Sequence, residues 1–440
     1  MAESKIKFKK CSLLPNEGSG LDEEYNVLAG APILNYYESI TSPSISATLG
    51  FLDIDQVISR KGIFGGEYID IIIQIDGFDD FKLTQKDHNL FCNSVRDVVT
   101  TENKQMATLD FISAEAIINE TARVNKKFTG NVSQTVFEVL IGDKKGLQTS
   151  KKLNKDEAAN SYSFVGNLKK PFDTIQWLQP KTQSSKKSFG FLFFENLDGY
   201  HFRSIESLLD QESLPPYFYT DSPFDSEDRP IILQNKVEST NDIGLNCRLG
   251  MYANKTIYID IENQEASVDD FSIEQLKLRK PPKLMEGLEK HPTRLMLRVD
   301  DVGVAQVGAA KSETVPKSEL AKYQNKSYIR NNLLFSQCLR ISIPLNTTLR
   351  VGLILEIKLP VKKGDGKTET GTYGTDKTND PSGRYLIAEL RHLIGREYAE
   401  TQLKLIRDVF TPDKSQITDS GELVKADNRH YGSTFPPGSF

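Results

Sequence analysis

The densest group of side chains that could do chemistry lies between positions 221 and 228. A pair of carboxylates can act as general acid and general base on a glycosidic bond, and a larger cluster can hold calcium. The spacing does not match the calcium-binding EF-hand loop, and serine and proline interrupt the run. We expect a solvated loop here and keep a catalytic pair or a calcium site as the alternative. The acids are Asp221, Asp225, Glu227 and Asp228.

A second candidate is the sequence Gly-Asp-Gly-Lys-Thr at 364–368, which invites comparison with a phosphate-binding loop. That loop requires a further glycine five positions before Gly366, where this chain has Val361. The segment also follows Pro360 and precedes no predicted helix. We therefore expect residues 362–381, rich in Gly, Lys and Thr, to be an exposed loop or an arm that a partner orders.

Histidine and cysteine spacing offers no metal site. The five histidines include no HxH or HxxxH pair, and the four cysteines form no CxxC. No G-x-S-x-G motif is present either. His392 falls on the apolar face of a predicted strand, where a hydrogen-bonded structural histidine is expected. The sequence therefore predicts no enzyme activity, no metal, no cofactor and no disulfide framework.

Aromatic residues alternate through a predicted hairpin whose turn lies at 196–199. They could stack nucleic-acid bases, but the flanking Lys and Arg residues of a nucleic-acid platform are missing. We expect these aromatics to pack in a core. They are Phe191, Phe193, Phe194, Tyr200 and Phe202.

The clearest structural element is the stretch 382–410. Its apolar and polar residues alternate on both sides of a turn at 395–397, which predicts a β-hairpin. A helix is the rival interpretation, because Leu386, Leu390 and Ile394 also recur every fourth position. Two alternating runs upstream, at 339–343 and 349–359, favour the hairpin, since isolated strands need neighbours. We predict a small antiparallel β-barrel over 337–411.

The N-terminal part repeats this pattern. An isoleucine ladder at 69–75 precedes a hairpin at 88–112, as the ladder at 349–359 precedes the C-terminal hairpin. We infer an internal duplication of one barrel. Between the barrels, helices are predicted at 113–124 and 133–141, each opening at a serine, and another helix begins at Pro171.

The predicted fold class is mainly β with α/β insertions, built from two similar antiparallel β-barrel domains and helix-containing middle domains. The predicted domains are a first barrel (1–115), an α/β domain with a hairpin (116–215), a connecting domain that can complete the barrels (216–336), the second barrel (337–411) and an extended tail (412–440).

Composition sets the broad class. The chain has 440 residues, 26% charged residues and a net charge of −5, which suits a soluble globular protein and disfavours a surface that wraps nucleic acid. The N-terminus lacks the apolar core of a secretory signal, and no apolar run approaches the ~18 residues of a membrane span. We therefore expect synthesis in a reducing cytoplasm and no membrane insertion.

Several segments in order resemble the baseplate hub proteins of contractile-tailed bacteriophages, a family related to secretion-system spike-hub proteins. They are LxVGxxxxIxLP from Leu349, SGRYLIAxLRH from Ser382 and LKLIRD from Leu403, preceded by ENLDGYHFRS from Glu195 and LGMYAN from Leu249. The likeness spans roughly 40–410. Its structural signature comprises Gly199, Tyr200, Phe202, Arg203, Ser204, Gly250, Tyr252, Asp260, Gly383, Tyr385, His392, Arg407 and Asp408.

This resemblance implies a structural virion protein in the tail baseplate. Such a hub forms a homotrimer whose six barrels make a pseudo-six-fold ring between the tail tube and the central spike, beside the wedge proteins. DNA passes through its channel without specific binding during ejection. Two alternatives remain open at this point: a spike-hub of a secretion or injection system, and a β-rich glycan-binding or glycan-cleaving tail protein.

Overall fold

β-Strands are the predominant regular structure of the described residues, as the alternation of apolar and polar residues predicts. The computed structural model describes residues 6–101, 105–142, 146–219, 230–261, 263–276, 291–299, 305–307, 314–315, 317–362, 368–373 and 381–409. The predicted acid cluster at 221–228, most of the loop at 362–381 and the tail at 412–440 lie outside these residues. Within the loop, residues 368–373 form a strand that pairs with 360–362, which the sequence did not predict.

The strands are β1 (Ile6–Leu14), β2 (Tyr25–Asn26), β3 (Ile33–Ser39), β4 (Ser46–Asp53), β5 (Tyr68–Ile75), β6 (Phe81–Leu83), β7 (Leu90–Thr100), β8 (Gln105–Ser113), β9 (Lys127–Asn131), β10 (Leu153–Lys155), β11 (Ser161–Val165), β12 (Phe191–Asn196), β13 (Gly199–Ser204), β14 (Ser213–Tyr219), β15 (Ile231–Ile232), β16 (Gln234–Thr240), β17 (Ala253–Asp260), β18 (Glu265–Ser272), β19 (Arg294–Val299), β20 (Ala305–Val307), β21 (Thr314–Val315), β22 (Gln337–Pro344), β23 (Ile354–Lys358), β24 (Pro360–Lys362), β25 (Thr368–Tyr373), β26 (Gly383–Ile394) and β27 (Ala399–Arg407).

The helices are α1 (Val57–Lys61), α2 (Ala114–Thr121), α3 (Val132–Phe137), α4 (Pro171–Leu178), α5 (Ile205–Leu209), α6 (Ile243–Leu249) and α7 (Lys317–Leu334). A π-helical turn (Glu138–Gly142) and three short 3-10 turns complete the regular structure. The predicted fold class, mainly β with helices between the sheets, is confirmed. Among the described helices, none combines the length and the apolar content needed to cross a membrane.

One sheet of 15 strands runs through both ends of the chain. Its N-terminal half pairs in the order β2-β1-β5-β7-β8-β4-β3, and its C-terminal half in the order β15-β14-β23-β26-β27-β22-β16. We number the seven strands of each half from 1 to 7 in chain order, leaving out the short β6. Both paths then have the same order, 2-1-5-6-7-4-3. The halves differ at one end only: β1 is antiparallel to β5, whereas β14 is parallel to β23.

The two halves also share irregularities. The β7–β8 hairpin shifts register between Cys92 and Ser94, and the β26–β27 hairpin shifts between Ile387 and Glu389. Such a bulge adds one residue and bends the strand at a fixed place. Its recurrence at one position of both hairpins supports the predicted duplication.

Glycines hold the same position in both halves. Gly66 donates its amide to the carbonyl of Cys92, and Gly352 donates to the carbonyl of Ile387, each at 2.9 Å. Both have positive φ, +108° and +87°, a region that glycine adopts without strain. Cys92 and Ile387 therefore occupy equivalent positions.

The two halves meet along β26. The first part of this strand pairs with β23, and residues 389–394 pair with residues 34–39 of β3 in antiparallel register. The bulge at Ala388 separates the two partners, and the Ala388 carbonyl accepts the Ile40 amide at 2.9 Å. A single hydrophobic core follows the sheet from one half to the other.

The hairpin predicted at 382–410 is confirmed, because β26 and β27 pair antiparallel. Other predicted elements need correction. The strand predicted at 349–359 begins only at Ile354, since Leu349 and Val351 are buried within a turn. Ser113 makes no side-chain cap, and Asn131, rather than a serine, caps α3 by accepting the Ser133 amide.

The predicted domain bounds stay predictions, although pairing informs the organisation. Strands β14 and β16 lie upstream of the predicted second barrel (337–411) and pair with β23 and β22 of that half. Residues 241–336 fall between β16 and β22, where the first half has only the short connection between β3 and β4.

Candidate assembly surface

The polar face of the continuous sheet is the best candidate for a functional surface. One row of cross-strand partners passes from β3 through β26, β27 and β22 to β16. Directly paired residues point to the same face of a sheet, so this row forms one surface. Its members are Tyr37, Arg391, Gln402, Ser342 and Gln234.

A second row, two residues further along, carries charge. It consists of Ser39, Glu389, Lys404, Arg340 and Lys236. These two rows line a groove of about 580 Å³ at the junction of the two halves, which we call the joint groove. The surface is concave here and is lined largely by polar residues, which makes it a candidate binding site.

Arg391 links the two halves across the joint groove. Its Nε and Nη2 donate to Asn35 Oδ1 at 3.0 and 2.7 Å, and its Nη1 donates to Gln402 Oε1 at 3.2 Å. The guanidinium also lies over the Tyr37 ring, 5.8 Å from the centroid. Its planar fork suits this simultaneous contact with β3 and β27.

Basic side chains outnumber acidic ones in the joint groove. Those that line it are Lys236, Arg340, Arg391 and Lys404, against Glu389 and the buried Glu38. Lys404 Nζ lies 2.9 Å from Glu389 Oε1, and Arg340 Nε lies 2.6 Å from Glu238 Oε1. Glu389 and Arg340 are exposed to 46% and 56%, so each pair contributes at most about 1 kcal/mol to stability. The groove therefore has a net basic surface.

His392 lies behind the groove, in the core. Its Nδ1 is 2.9 Å from Thr401 Oγ1, and its ring stacks on Tyr36 and meets the edge of Phe81. Complete burial lowers the pKa of His392 to about 3. The imidazole is therefore neutral and structural, as its place on an apolar face predicts.

Two buried carboxylates connect the sheet to the β12–β13 hairpin, and sequence analysis missed their role. Glu38 accepts the amides of Leu197 at 3.0 Å and Val351 at 2.9 Å, and the hydroxyl of Tyr36 at 2.8 Å. Burial raises the pKa of Glu38 to about 7. The Glu38 side chain, on β3 of the first half, is therefore hydrogen-bonded both to the β12–β13 hairpin and to the second half.

Glu195 makes a similar connection. It accepts the Ile45 amide at 3.0 Å and the Ser113 hydroxyl, and it pairs with Lys151 Nζ at 2.6 Å. Lys151 also pairs with Glu115 at 2.7 Å, and all three charged side chains are at least 92% buried. Burial raises the pKa of Glu195, while the neighbouring Lys151 opposes that rise. No spacing in the sequence signals this network, because its members come from four separate segments.

The signature residues at 199–204 are structural. Tyr200 and Phe202 are fully buried, and Arg203 Nη2 donates to Ser207 Oγ at 3.0 Å. Ser204 caps α5 by accepting the Ser207 amide at 3.2 Å. Gly199 has φ +125°, and a Cβ there would lie 2.4 Å from the Lys152 carbonyl oxygen.

The signature residues at 250–260 hold a local core. Gly250 ends α6 with φ +70°, and the buried Tyr252 hydroxyl accepts from Asn246 Nδ2 at 3.3 Å. Asp260 accepts from Asn263 Nδ2 at 2.7 Å in the turn after β17. None of these three residues reaches the joint groove.

The C-terminal signature residues fix the base of the β26–β27 hairpin. Gly383 opens β26 with φ +132°, and the Tyr385 hydroxyl donates to the Pro381 carbonyl at 2.7 Å. Arg407 lies over the Tyr385 ring and donates to Gln337 Oε1 at 2.9 Å. Asp408 pairs with Arg330 at 2.6 Å.

Among the described residues, no group of three or more His, Cys, Asp or Glu side chains could hold a metal ion. The joint groove presents an excess of Lys and Arg, with amides and hydroxyls, along exposed strand faces. Such a surface can bind another macromolecule.

Comparison with solved structures identifies the fold; no family model and no curated protein matches the sequence. A tail protein from Neisseria meningitidis aligns over 92% of this chain and 98% of its own, with a TM-score of 0.52 and 13% identity. A tail protein from a Shewanella oneidensis prophage aligns over 92% and 100%, at 0.49 and 9%. An Escherichia coli component of the type VI secretion system aligns over 93% and 78%, at 0.41 and 9%.

The Neisseria structure is the one among these whose TM-score exceeds one half, and it establishes that this chain has a tail-protein fold. The fold expected from the hub resemblance is confirmed at that level.

Proposed function

We propose that this chain is a structural hub subunit of a phage tail baseplate. The observation that carries the proposal is the repeat of one seven-strand order in both halves of a single sheet. A chain with two equivalent units can supply two of six positions, so three chains make a ring of six. Such a ring has exact three-fold symmetry and approximate six-fold symmetry, so one face can bind a three-fold partner and the other face a six-fold partner.

In this role the ring joins the six-fold tail tube to the three-fold central spike. Its bore becomes a conduit for DNA once the spike has left. The joint groove is no candidate for the wall of that conduit, because four Lys and Arg side chains line it against Glu389 and the buried Glu38, and DNA is held by clustered Lys and Arg contacts.

Other polar positions are candidates for the wall of the conduit. Asp70 and Gln74 of β5 and Glu356 of β23 lie on the polar side of their strands, and Asp76 directly follows β5. Asp70 pairs with Lys10 at 2.7 Å, and Glu356 pairs with Lys358 at 2.5 Å. We propose a lining that is neutral or net acidic, and a clearly basic bore in a trimer structure would contradict it.

The proposed function is tested by the mass and shape of the purified protein. One chain has a mass of 49.5 kDa, so three chains weigh 3 × 49.5 = 148.5 kDa. We expect light scattering to give this trimer mass and negative-stain images to show a three-fold ring. A protein that stays monomeric at micromolar concentrations, even with a spike protein added, would overturn the proposal.

A further inference from the structure

β26 pairs with β3 inside the chain, but the strands that correspond to them in the other halves leave their edges unpaired in the described chain. β3 is the last strand of the first path, and its counterpart β16 is the last strand of the second path. β26 has β7 as its counterpart in the first half. Within one chain β26 pairs with β3, whereas β7 and β16 do not pair with each other.

Apolar side chains are exposed on both of these edges. On β7, Val98 and Val99 are exposed to 43% and 58%; on β16, Val237 is exposed to 42%. Tyr36, the counterpart of Val237, is fully buried against β26. An edge strand with apolar side chains and open backbone groups is suited to pairing with another strand.

We propose that β16 of one copy of this chain pairs antiparallel with β7 of the next copy, repeating the β3–β26 joint between subunits. This interface rests on the proposed ring and names the strands that close it. The two surfaces differ, so the contact is head-to-tail, and repetition closes a ring. Internal and external joints then alternate around it.

The residue correspondence fixes the register on the β7 side. Arg391 pairs with Gln402, two positions beyond the residue that follows the bulge of its hairpin. Arg96 pairs with Thr108 at the same distance from the bulge of the first hairpin. Arg96 is therefore the counterpart of Arg391.

The β16 side follows from its neighbour. Tyr37 pairs with Ser46 of β4, and Ser239 pairs with Cys338 of β22. Ser46 and Cys338 are equivalent. Ser46 pairs with Ile112, which lies opposite Phe91, and Cys338 pairs with Ile406, which lies opposite Leu386. Phe91 and Leu386 each stand one residue before the last pair that precedes the bulge. Since Arg391 pairs with Tyr37, we infer that Arg96 faces Ser239 of the neighbouring copy.

The charges at this position agree with the pairing. Glu238, an extra residue at the β16 register shift, adjoins Ser239 and already contacts Arg340. Arg96 is 55% exposed and paired with Asp110 on its own sheet. Placing Arg96 beside Glu238 brings opposite charges together across the interface, which favours this register over a like-charge one.

The test introduces cysteines at the two facing positions of the intact chain. Residues directly opposite in an antiparallel pair have Cβ atoms about 4.5–5.5 Å apart, close enough for a disulfide after small shifts. On oxidation, Arg96→Cys with Ser239→Cys should give covalent dimers and trimers on a non-reducing gel. Because Ser239 pairs with the native Cys338 of its own chain, all of these variants are made with Cys338→Ser, and each single variant should then give no covalent dimer.

The internal joint supplies a matched control. Arg391→Cys with Tyr37→Cys should form a disulfide within one chain, because the structure pairs these residues directly. A trimer by light scattering that forms the control disulfide but no Arg96–Ser239 linkage would overturn the proposed pairing and leave the hub function standing. A persistent monomer would overturn both.

A second variant tests the edge without oxidation. Val237→Lys places a charge where the proposed joint buries an apolar side chain, and should raise the concentration for half-dissociation of the trimer by about tenfold or more. Val165→Lys is the matched control, because Val165 is also an exposed strand valine, 57% exposed on β11, and lies outside the proposed interface. It should leave assembly unchanged. Equal effects of both variants, or none from Val237→Lys, would count against the interface.

Discussion

Arg330 and Asp408 form an ion pair that is almost completely withdrawn from water. Arg330 Nη1 lies 2.6 Å from Asp408 Oδ2, and the two side chains are 5% and 2% exposed. Arg330 Nε also contacts Glu206 Oε1 at 2.6 Å. Arg330 belongs to α7, Glu206 to α5, and Asp408 directly follows β27, so these contacts tie α7 to α5 and to the end of the β26–β27 hairpin.

Breaking this pair should be costly. Arg330→Met leaves the buried Asp408 carboxylate without its cation, which we expect to lower the free energy of unfolding by about 3–5 kcal/mol. Lys9→Met is the control, because Lys9 pairs with Asp80 at 2.7 Å on the surface and is 42% exposed. That change should cost less than about 1 kcal/mol in urea unfolding. Equal costs would contradict the assigned burial.

Acid should destabilise the protein through His392. Its pKa is about 3 in the folded state and near 6.5 when unfolded. Between these values the unfolded chain binds a proton that the folded chain does not. The contribution of His392 to the free energy of unfolding is therefore complete above about pH 6.5 and is lost as pH falls towards 3. At pH 5 the loss is about 2 kcal/mol.

The variant His392→Gln removes this titration while leaving a polar group opposite Thr401. We expect its stability to depend less steeply on pH between 7 and 5 than that of the parent chain. His291→Gln changes an exposed histidine and should retain the parental slope. Chemical unfolding at a series of pH values measures both, and a parental slope in His392→Gln would refute the assignment.

Gly199 should not tolerate a side chain. Its φ of +125° disfavours other residues, and a Cβ would lie 2.4 Å from the Lys152 carbonyl oxygen. We expect Gly199→Ala to cost roughly 2–4 kcal/mol. Gly50→Ala provides a matched control, since a Cβ at Gly50 meets no atom within 4 Å. Thermal unfolding would separate the two, and equal melting temperatures would contradict the hairpin geometry.

Leu355 tests the core of the second half. It is fully buried on β23, so Leu355→Ala should lower the free energy of unfolding by about 2–5 kcal/mol. Leu355→Asp would bury an unpaired charge and should abolish soluble expression. Its neighbour Glu356 points to the polar side, and Glu356→Ala should cost about 1 kcal/mol or less. Soluble, trimeric Leu355→Asp would show that β23 is assigned to the wrong face.

The purified protein should not cleave peptidoglycan or other glycans. The sequence offers no nucleophile with a neighbouring base, and the acidic cluster has the spacing of a solvated loop. Release of soluble sugar fragments is the measurement. Cleavage that disappears in Asp225→Asn or Glu227→Gln would establish an enzyme instead of a structural subunit.

Alternation predicted the β26–β27 hairpin because residues 389–394 of β26 and 401–405 of β27 keep one face in the core and the other partly exposed, although residues 385–388 are buried on both faces. The same rule failed at Leu349 and Val351, which are buried although their backbone turns. Strand β16 escaped prediction for the opposite reason. It lies at an edge, and its sequence QNKVEST has a single apolar residue.

The joint groove could not be predicted from the sequence. Its residues are ordinary polar members of alternating strands, and Arg391 meets Asn35 only because β26 bends at its bulge. Glu38 and Glu195 likewise look like surface carboxylates until long-range pairing buries them. Sequence periodicity reports which face is apolar, whereas these contacts depend on which strands become neighbours.

The pairing of β26 with β3 has a consequence for how the chain is made. Glu389 pairs with Ser39, and 389 − 39 = 350 residues separate them. At about 5–20 residues per second, a ribosome needs roughly 20–70 s to synthesise that interval. The first half therefore waits with an open β3 edge until the last hairpin emerges, and chains truncated before residue 383 should associate wrongly through that edge.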